Sequence, residues 1–545
     1  MSTAPTAQWS WYNFWICFLV SLGMLAFAYP ASIIATTLAQ PSFLIDMGLL
    51  DVTQDPPALA PNANALIGAI SGVFQAGGVV NTFIAGWVAD RYGRKWGFHW
   101  CSLLSLLGGA LQCGAQNSTM FIFGRLFSGA GSAGFLVITP PYSAELSPPK
   151  LRGLLVGLNG VIISIGYALG AYMGLAFYSI QNPAAQWRGP LGLNLIWPLL
   201  MNIVCLYVPE SPRYLLLKDR EDEARAIVYK LHNLHGESHH EFAHQEFQQM
   251  ATQAREDRHL EPSWLKMITE RGNRKRLGIA AGYMFFGQST GVLVLNNYGP
   301  TIYAALGFDT RSQLIFQPGW VTSGIIGNLI GAVCLDWIGR KPLLTVGLAG
   351  CCVCLIIEAA VVSLYAQEGT NGAGLRAGVA ATYLFIFVYG LGVDVAGVVL
   401  YSEVFPNHMR ARGMSLVVAL FGVTNVLYLQ VAPTAFANIG WRFFLVFIIL
   451  SGIGAVWSWF GIPETNGIPL EEMNQIFSGQ PVVKEKDLSI EEGPEEHVVV
   501  DQSNHEKGFT QGDAEKVCSE TEGARRVRPA QGDKDSALHL ENARK

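Results

Sequence analysis

The feature that most constrains this chain is a series of apolar runs, each close to the ~20 residues that cross about 30 Å of hydrocarbon as a helix, with short polar turns between them. The first, Trp11 to Tyr29, is too long and lacks the basic flank of a cleaved signal, so it reads as a retained spanning helix. Pro30 is a candidate kink, and the segment after it, through Pro41, continues toward the far face. Further runs lie at 65–89, 97–116, 120–143, 152–177 and 189–208, and again at 276–305, 313–336, 341–366, 376–405, 412–437 and 440–462. Half of the residues are hydrophobic, 14% are charged and mean hydropathy is +0.30, a balance that a water-soluble chain of this length would not sustain. The expectation is an all-α, multi-pass membrane protein with twelve transmembrane helices in two pseudo-symmetric six-helix bundles.

The two bundles follow from an internal repeat. Asp90-Arg91-Tyr92-Gly93-Arg94-Lys95 returns as Asp336-Trp337-Ile338-Gly339-Arg340-Lys341. Glu145 to Pro148, closed by Arg152-Gly153, returns as Glu403 to Pro406, closed by Arg410 and Arg412-Gly413. Trp187-Arg188 before Pro209-Glu210 returns as Trp441-Arg442 before Pro463-Glu464. Three markers in one order at a spacing of roughly 250 residues mean a duplicated half, the construction of many transporters.

The expected organisation is therefore a polar terminus at 1–10, a six-helix bundle at 11–208, a basic linker with short helices at 209–275, a second bundle at 276–462 and a tail at 463–545. The stretch 43–64 carries Asp46, Asp51 and Asp55 but no Lys or Arg, whereas the linker is rich in both, so the linker, the charge knots and both termini are expected in the cytoplasm. Within the linker, Glu221 to Leu231 reads as an amphipathic helix. The Glu-, Lys-, Gln- and Gly-rich tail cannot bury enough apolar surface to fold and is expected to be disordered.

The net charge of -5 lies partly in that tail, and no long basic block invites nucleic acid. Cysteines fall mostly inside apolar runs, and Cys351-Cys352-Val353-Cys354 lacks the His or paired spacing of a metal site. No nucleophile and base share a face, so neither an enzyme nor a cofactor is expected. Membrane lipid is the expected surroundings, and the sequence leaves oligomeric state open. Asn117-Ser118-Thr119 matches a glycosylation sequon in a very short loop.

A charge at mid-membrane costs about 2.5–3.5 kcal/mol on insertion scales and needs a reason. Glu145 and Glu403 lie beside the Arg-bearing knots, where ion pairs with Arg94 and Arg152, and with Arg340 and Arg410, would latch a gate; Asp90 and Asp336 belong to the same knots. Arg125, twenty residues before Glu145 on one span, lies about 30 Å away along the helix, toward the other face. Asp394, nine residues before Glu403, falls about 13.5 Å along its helix and so near the midplane, either as a structural partner for a hydroxyl or amide or as a contact for substrate or proton. Glu358 sits mid-span, where packing against a neighbouring helix is the simpler reading.

Taken together, D-R-x-G-R-K, G-R-x-x-x-G-x-G from Gly124, E-x-x-P-x-x-x-R-G, P-E-S-P-R-Y-L-L from Pro209, the second D-x-x-G-R-K, E-V-F-P with R-x-R-G, and P-E-T from Pro463 resemble the sugar porters of the major facilitator superfamily over about residues 11–470. The phrase Tyr29 to Phe43 resembles fungal members. The resemblance implies two six-helix bundles, a central site for a sugar or sugar-like solute, and alternating access by rocking about it, with a plasma-membrane location.

Carried over position by position, the resemblance weakens toward the pocket. Gln288 keeps a family Gln and Asn425 a family Asn, but Gly160, Gly287, Leu293, Asn297 and Val398 stand where the family has Gln, Gln, Asn, Tyr and Trp, and Asp394 replaces a glycine. Asn159, Thr290, Asn296, Asn297 and Asp394 are the candidate replacement partners for substrate hydroxyls. Fewer amides imply a modified sugar, a polyol or a larger, less polar solute, because an unpaired desolvated hydroxyl costs ~1–3 kcal/mol. In proton-coupled members a first-helix G-[YF]-D supplies an acid to the fourth-helix Arg; here the phrase is Ala28-Tyr29-Pro30 facing Arg125, which implies downhill transport. The alternatives are proton symport through Asp394, export of a metabolite, and a non-transporting nutrient sensor.

Overall fold

The computed structural model describes residues 10–51, 53, 58–148, 151–232, 238–259, 264–365, 372–405 and 410–464. The first span comprises α1 (Trp11–Ser21) and α2 (Gly23–Leu38), followed by α3 (Pro41–Asp46) and a two-stranded antiparallel ribbon, β1 (Leu50–Asp51) with β2 (Ala58–Leu59). Spans two to six are α4 (Ala63–Tyr92), α5 (Arg94–Cys113), α6 (Ser118–Leu146), α7 (Arg152–Tyr178) and the pair α8 (Pro183–Leu193) with α9 (Ile196–Tyr207). Four helices then link the halves: α10 (Pro212–Leu217), α11 (Glu221–His232), α12 (Ser238–His259) and α13 (Trp264–Thr269). The second half holds α14 (Arg271–Gln288) with α15 (Val292–Ala305), α16 (Thr310–Ile338), α17 (Arg340–Tyr365), α18 (Gly372–Val388) with α19 (Val395–Val404), α20 (Arg410–Ile439) and α21 (Phe444–Gly461).

Ten stretches are long and apolar enough to span a membrane by length and composition alone; one of them, Arg412–Gly461, contains both α20 and α21. The remaining helix, α5, is 20 residues long and more polar, so the described chain has twelve spans. The first span continues past Pro30 to Leu38, but its break falls at Leu22, not at Pro30. There the Leu22 amide shares the carbonyls of Phe18 and Leu19 at 3.2 and 3.3 Å, where α6 presses in: a Cβ on Gly23 would lie 2.7 Å from Thr139 Oγ1. Proline at 30 is carried inside a continuous helix, and its carbonyl is held from outside by Arg125. At the sequon, the Asn117 side-chain oxygen Oδ1 caps α6 by accepting the Met120 amide at 2.8 Å.

Interruptions inside spans recur around the molecular centre. Between α14 and α15 the Thr290 hydroxyl donates to Gly287 O at 2.7 Å and Gly291 turns the chain at a φ of 78°, a left-handed conformation that only glycine adopts freely. Between α18 and α19, Tyr389–Asp394 forms a π-helical turn, a local widening that often accompanies function. Its Gly392 backbone packs directly on Gly347 of α17. The linker helices bury their own small core, including Tyr214, Leu215, Val228, Phe247 and Met250, and α11 covers the stretch read as amphipathic, with three acids in its first turn. The tail from 465 onward lies outside the described residues.

Candidate functional site: a cavity between the two halves

Helices of both halves enclose a cavity of about 190 Å³. The first half contributes Ser164 and Tyr167 of α7; the second contributes Gln288 of α14, Asn296 of α15, Trp320 and Asn328 of α16, and Asp394 at the end of the π-turn. Apolar side chains such as Phe27, Ile163, Leu293 and Phe421 fill the remaining wall. A pocket of this kind, mostly apolar with a few convergent polar groups, is suited to holding a small organic solute.

The polar groups are held by defined partners. Asp394 Oδ2 accepts from Asn328 Nδ2 at 3.1 Å, and Tyr283 on the same wall donates to Val393 O at 3.2 Å. Gln288 Oε1 accepts from Asn425 Nδ2 at 3.2 Å, while Gln288 Nε2 reaches toward Tyr389 Oη at 3.5 Å. Asn296 accepts from Gln317 Nε2 at its backbone oxygen, 2.9 Å, and at Oδ1, 3.3 Å.

Of the pocket residues expected from sequence, Gln288, Asn296 and Asp394 line the cavity. Asn425 stands behind Gln288, its amide also donating to Phe421 O at 2.8 Å, and so reaches the cavity through Gln288. Asn297 is buried beside Asn296, and Thr290 spends its hydroxyl on the helix end; neither lines the cavity. Asn159 is also off the wall, buried with neither side-chain polar atom bonded among the described residues. These three fail because a break or a turn of 3.6 residues points neighbours in different directions, which residue type does not reveal. Sequence reading missed Asn328, whose only signal is an amide next to Gly327 inside an apolar span, and missed the tyrosines of the wall. A Cβ at Gly160, one turn before Ser164, would meet nothing within 4 Å, so the missing family Gln leaves open space.

Arg125 is 1% exposed, and its charge is met without an acid. Nη1 donates to Pro30 O at 2.9 Å, Nε donates to Ile70 O at 3.2 Å, and the guanidinium lies 4.1 Å from the centre of the Phe74 ring. Among the described residues no carboxylate lies within ion-pair distance of it. Glu358 is 2% exposed on α17, with both oxygens unbonded among the described residues, near Gly378 of α18.

At the charge knot, Arg94 makes a bidentate pair with Glu145, Nη2 to Oε1 at 2.8 Å and Nε to Oε2 at 3.1 Å, and its Nη1 reaches Asp90 at 2.7 Å. This pair joins α5 to α6 within one half rather than bridging the two halves. The side chains of Arg152, Asp336, Glu403 and Arg410 lie outside the described residues. What sequence reading did not assign is the role of the two Pro-Glu markers. Glu210 accepts the backbone amides of Arg94 and Lys95 at 2.9 and 3.4 Å, and Glu464 accepts those of Arg340 and Lys341 at 3.0 and 3.2 Å. Each caps the helix that begins at its knot, where a negative charge also suits the helix dipole.

Between the halves, α4 meets α20 so closely that a Cβ on Gly68 would lie 2.3 Å from Gln430 O, and Tyr172 of α7 bonds Thr322 of α16 at 3.1 Å.

Two six-helix halves around a central cavity, each with a capped charge knot, define a membrane carrier of the major facilitator fold. The chain belongs to the sugar (and other) transporter family, whose pattern it matches over residues 16–477. It is 28% identical over 482 residues to the MFS-type transporter criB of Aspergillus cristatus, covering 87% of this chain and 96% of that one. It is 28% identical over 537 residues to a probable quinate permease of Aspergillus clavatus, covering 94% and 97%. The high-affinity glucose transporter of Kluyveromyces lactis is 26% identical over 426 residues, covering 75% and 77%. Among solved structures, the partially occluded inward-open xylose transporter XylE from E. coli superposes with a TM-score of 0.70 at 21% identity, covering 84% of this chain and 100% of that one.

The Gln288 and Asn425 geometry yields a graded expectation. Gln288→Ala removes a wall amide and raises the apparent KM for solute. Asn425→Ala acts by releasing Gln288, so it raises KM several-fold, in keeping with ~1 kcal/mol for a neutral hydrogen bond. It adds nothing in a Gln288→Ala background; additive effects in that double-mutant cycle would show that Asn425 meets the solute directly.

Proposed function

We propose that the protein carries a neutral, sugar-like solute down its gradient, the two halves rocking about the cavity, with the charge knots and both termini on the cytoplasmic side of the plasma membrane. The observation that supports downhill movement is the environment of Arg125: its charge is met by the carbonyls of Pro30 and Ile70 and by the Phe74 ring. None of these groups can take up or release a proton, and among the described residues no carboxylate is paired with that arginine. The solute class is supported by family membership together with a wall that pairs amides and one carboxylate with broad apolar surface. Proton symport through Asp394 is the rival reading, favoured by the position of that carboxylate on the cavity wall.

The two readings separate in proteoliposomes loaded and bathed with equal radiolabelled D-glucose, D-xylose or myo-inositol under an imposed pH gradient. A facilitator exchanges label but accumulates none. Accumulation above equilibrium that vanishes in Asp394→Asn would overturn the downhill reading and identify the proton carrier.

A further inference from the structure

Asp394 brings a negative charge into the cavity without a compensating cation. Among the described residues no Lys, Arg or His lines the cavity, and no ion pair reaches Asp394. Its bonding is one-sided: Oδ2 takes the Asn328 amide, while no donor is recorded at Oδ1 among the described residues. Asn328 is turned so that its NH2 faces the carboxylate, although this leaves its own buried Oδ1 without a donor. That arrangement uses Asp394 Oδ2 as an acceptor and leaves Oδ1 open to a donor from the cavity. The position is also fixed rather than adaptable, because the π-turn that ends at Asp394 is backed by backbone contact between Gly392 and Gly347 and by the close approach of Gly390 to Gly324 O.

We propose that Asp394 acts as a charge filter and hydroxyl anchor, so that the cavity selects neutral polyhydroxylated rings and rejects their carboxylates. The inference rests on the sugar-like reading above and narrows it. A hydroxyl of a neutral ring supplies the donor that Oδ1 lacks. A carboxylate on the same ring brings a second negative charge within a few ångströms, where like charges repel more strongly beside protein than in bulk water. The filter would separate this chain from the probable quinate permeases it resembles, since quinate is a hydroxylated ring that carries a carboxylate.

The test uses the purified full-length protein and two matched pairs of probes, D-glucuronate with its methyl ester and quinate with its methyl ester. Binding is followed by thermal stabilisation and by intrinsic fluorescence, to which Trp320 on the cavity wall contributes. In the native protein each neutral ester that binds is expected to bind about tenfold or more tighter than its carboxylate. In Asp394→Asn that ratio is expected to fall to near unity. A native protein that binds either carboxylate as tightly as its ester overturns the filter while leaving the sugar-like reading standing, and this comparison needs no variant to fold. A ratio that Asp394→Asn leaves unchanged removes Asp394 as its source. If the folded protein binds none of the four probes, nor D-glucose, D-xylose and myo-inositol, the sugar-like reading itself falls, and the filter with it.

Discussion

Gly129→Val is expected to leave no correctly assembled carrier. A Cβ at this position would lie 1.9 Å from Phe74 O and 2.6 Å from Phe74 C, and the reciprocal Gly77 would put one 2.1 Å from Leu126 O. The backbones of α4 and α6 are therefore in direct contact, and backbone, unlike a flexible side-chain tip, has no rotamer to escape into. Small residues supply such close approach in lipid, where helices gain little from the hydrophobic effect and depend on contact itself. The cost should exceed the ~1–3 kcal/mol usual for an overpacked core. Moving α4 also carries Phe74 and Ile70 away from Arg125, and so exposes a charge that has no acid to fall back on. The measurement is the monodisperse fraction of detergent-purified protein, with Gly157→Ala as the control, because a Cβ at Gly157 meets nothing within 4 Å. Equal recovery of Gly129→Val and the control would refute the contact argument.

Glu210→Ala should be the most damaging single change at the charged end of the first half. The carboxylate accepts two amides at the start of α5, and Arg94, whose amide is one of them, in turn holds Glu145 and Asp90. With hydrogen bonds to a charged group worth ~1.5–3 kcal/mol each, the variant should melt well below native protein. Trypsin should also gain access at Arg94 and Lys95. Glu210→Gln keeps an acceptor but not the charge, and is expected to recover part of the loss. Gly93→Ala should resemble Glu210→Ala, since Gly93 has a φ of 111° and its Cβ would sit 2.4 Å from Glu210 Oε2. Glu464→Ala is expected to repeat the effect at Arg340 and Lys341 in the second half. If Glu210→Ala melts and digests like native protein, the cap is dispensable and the Arg94 pair alone holds the knot.

The two expectations differ in how far the sequence could have led to them. Apolar runs of spanning length, an ordered repeat of charged markers and family motifs are one-dimensional signals, and they were enough for an all-α carrier with duplicated halves. They also pointed to Gln288 as a kept family position, to Asp394 as an acid too costly to leave in lipid, and to Asn296 as a replacement amide, and these three line the cavity. Pro30 opposite Arg125 could be read as a missing acid, but what replaces the acid could not: two carbonyls and a ring come from two other helices, α2 and α4.

What tertiary structure alone decided is which amides face the cavity and which carboxylates close a helix. Asn297, Thr290 and Asn159 are the same kinds of residue as those that line the wall, yet a local break or a fraction of a helical turn directs them elsewhere. Asn328 reaches Asp394 from a helix 66 positions away in the chain, and Glu210 reaches the Arg94 amide across 116. The sequence by itself determined that the chain must cross a membrane as two similar halves, because apolar length and repeated order survive in one dimension. The side-chain directions that make a site were settled only when the helices packed, because a contact between distant residues depends on helix rotation and on glycine-limited approach, neither of which is written at any single position.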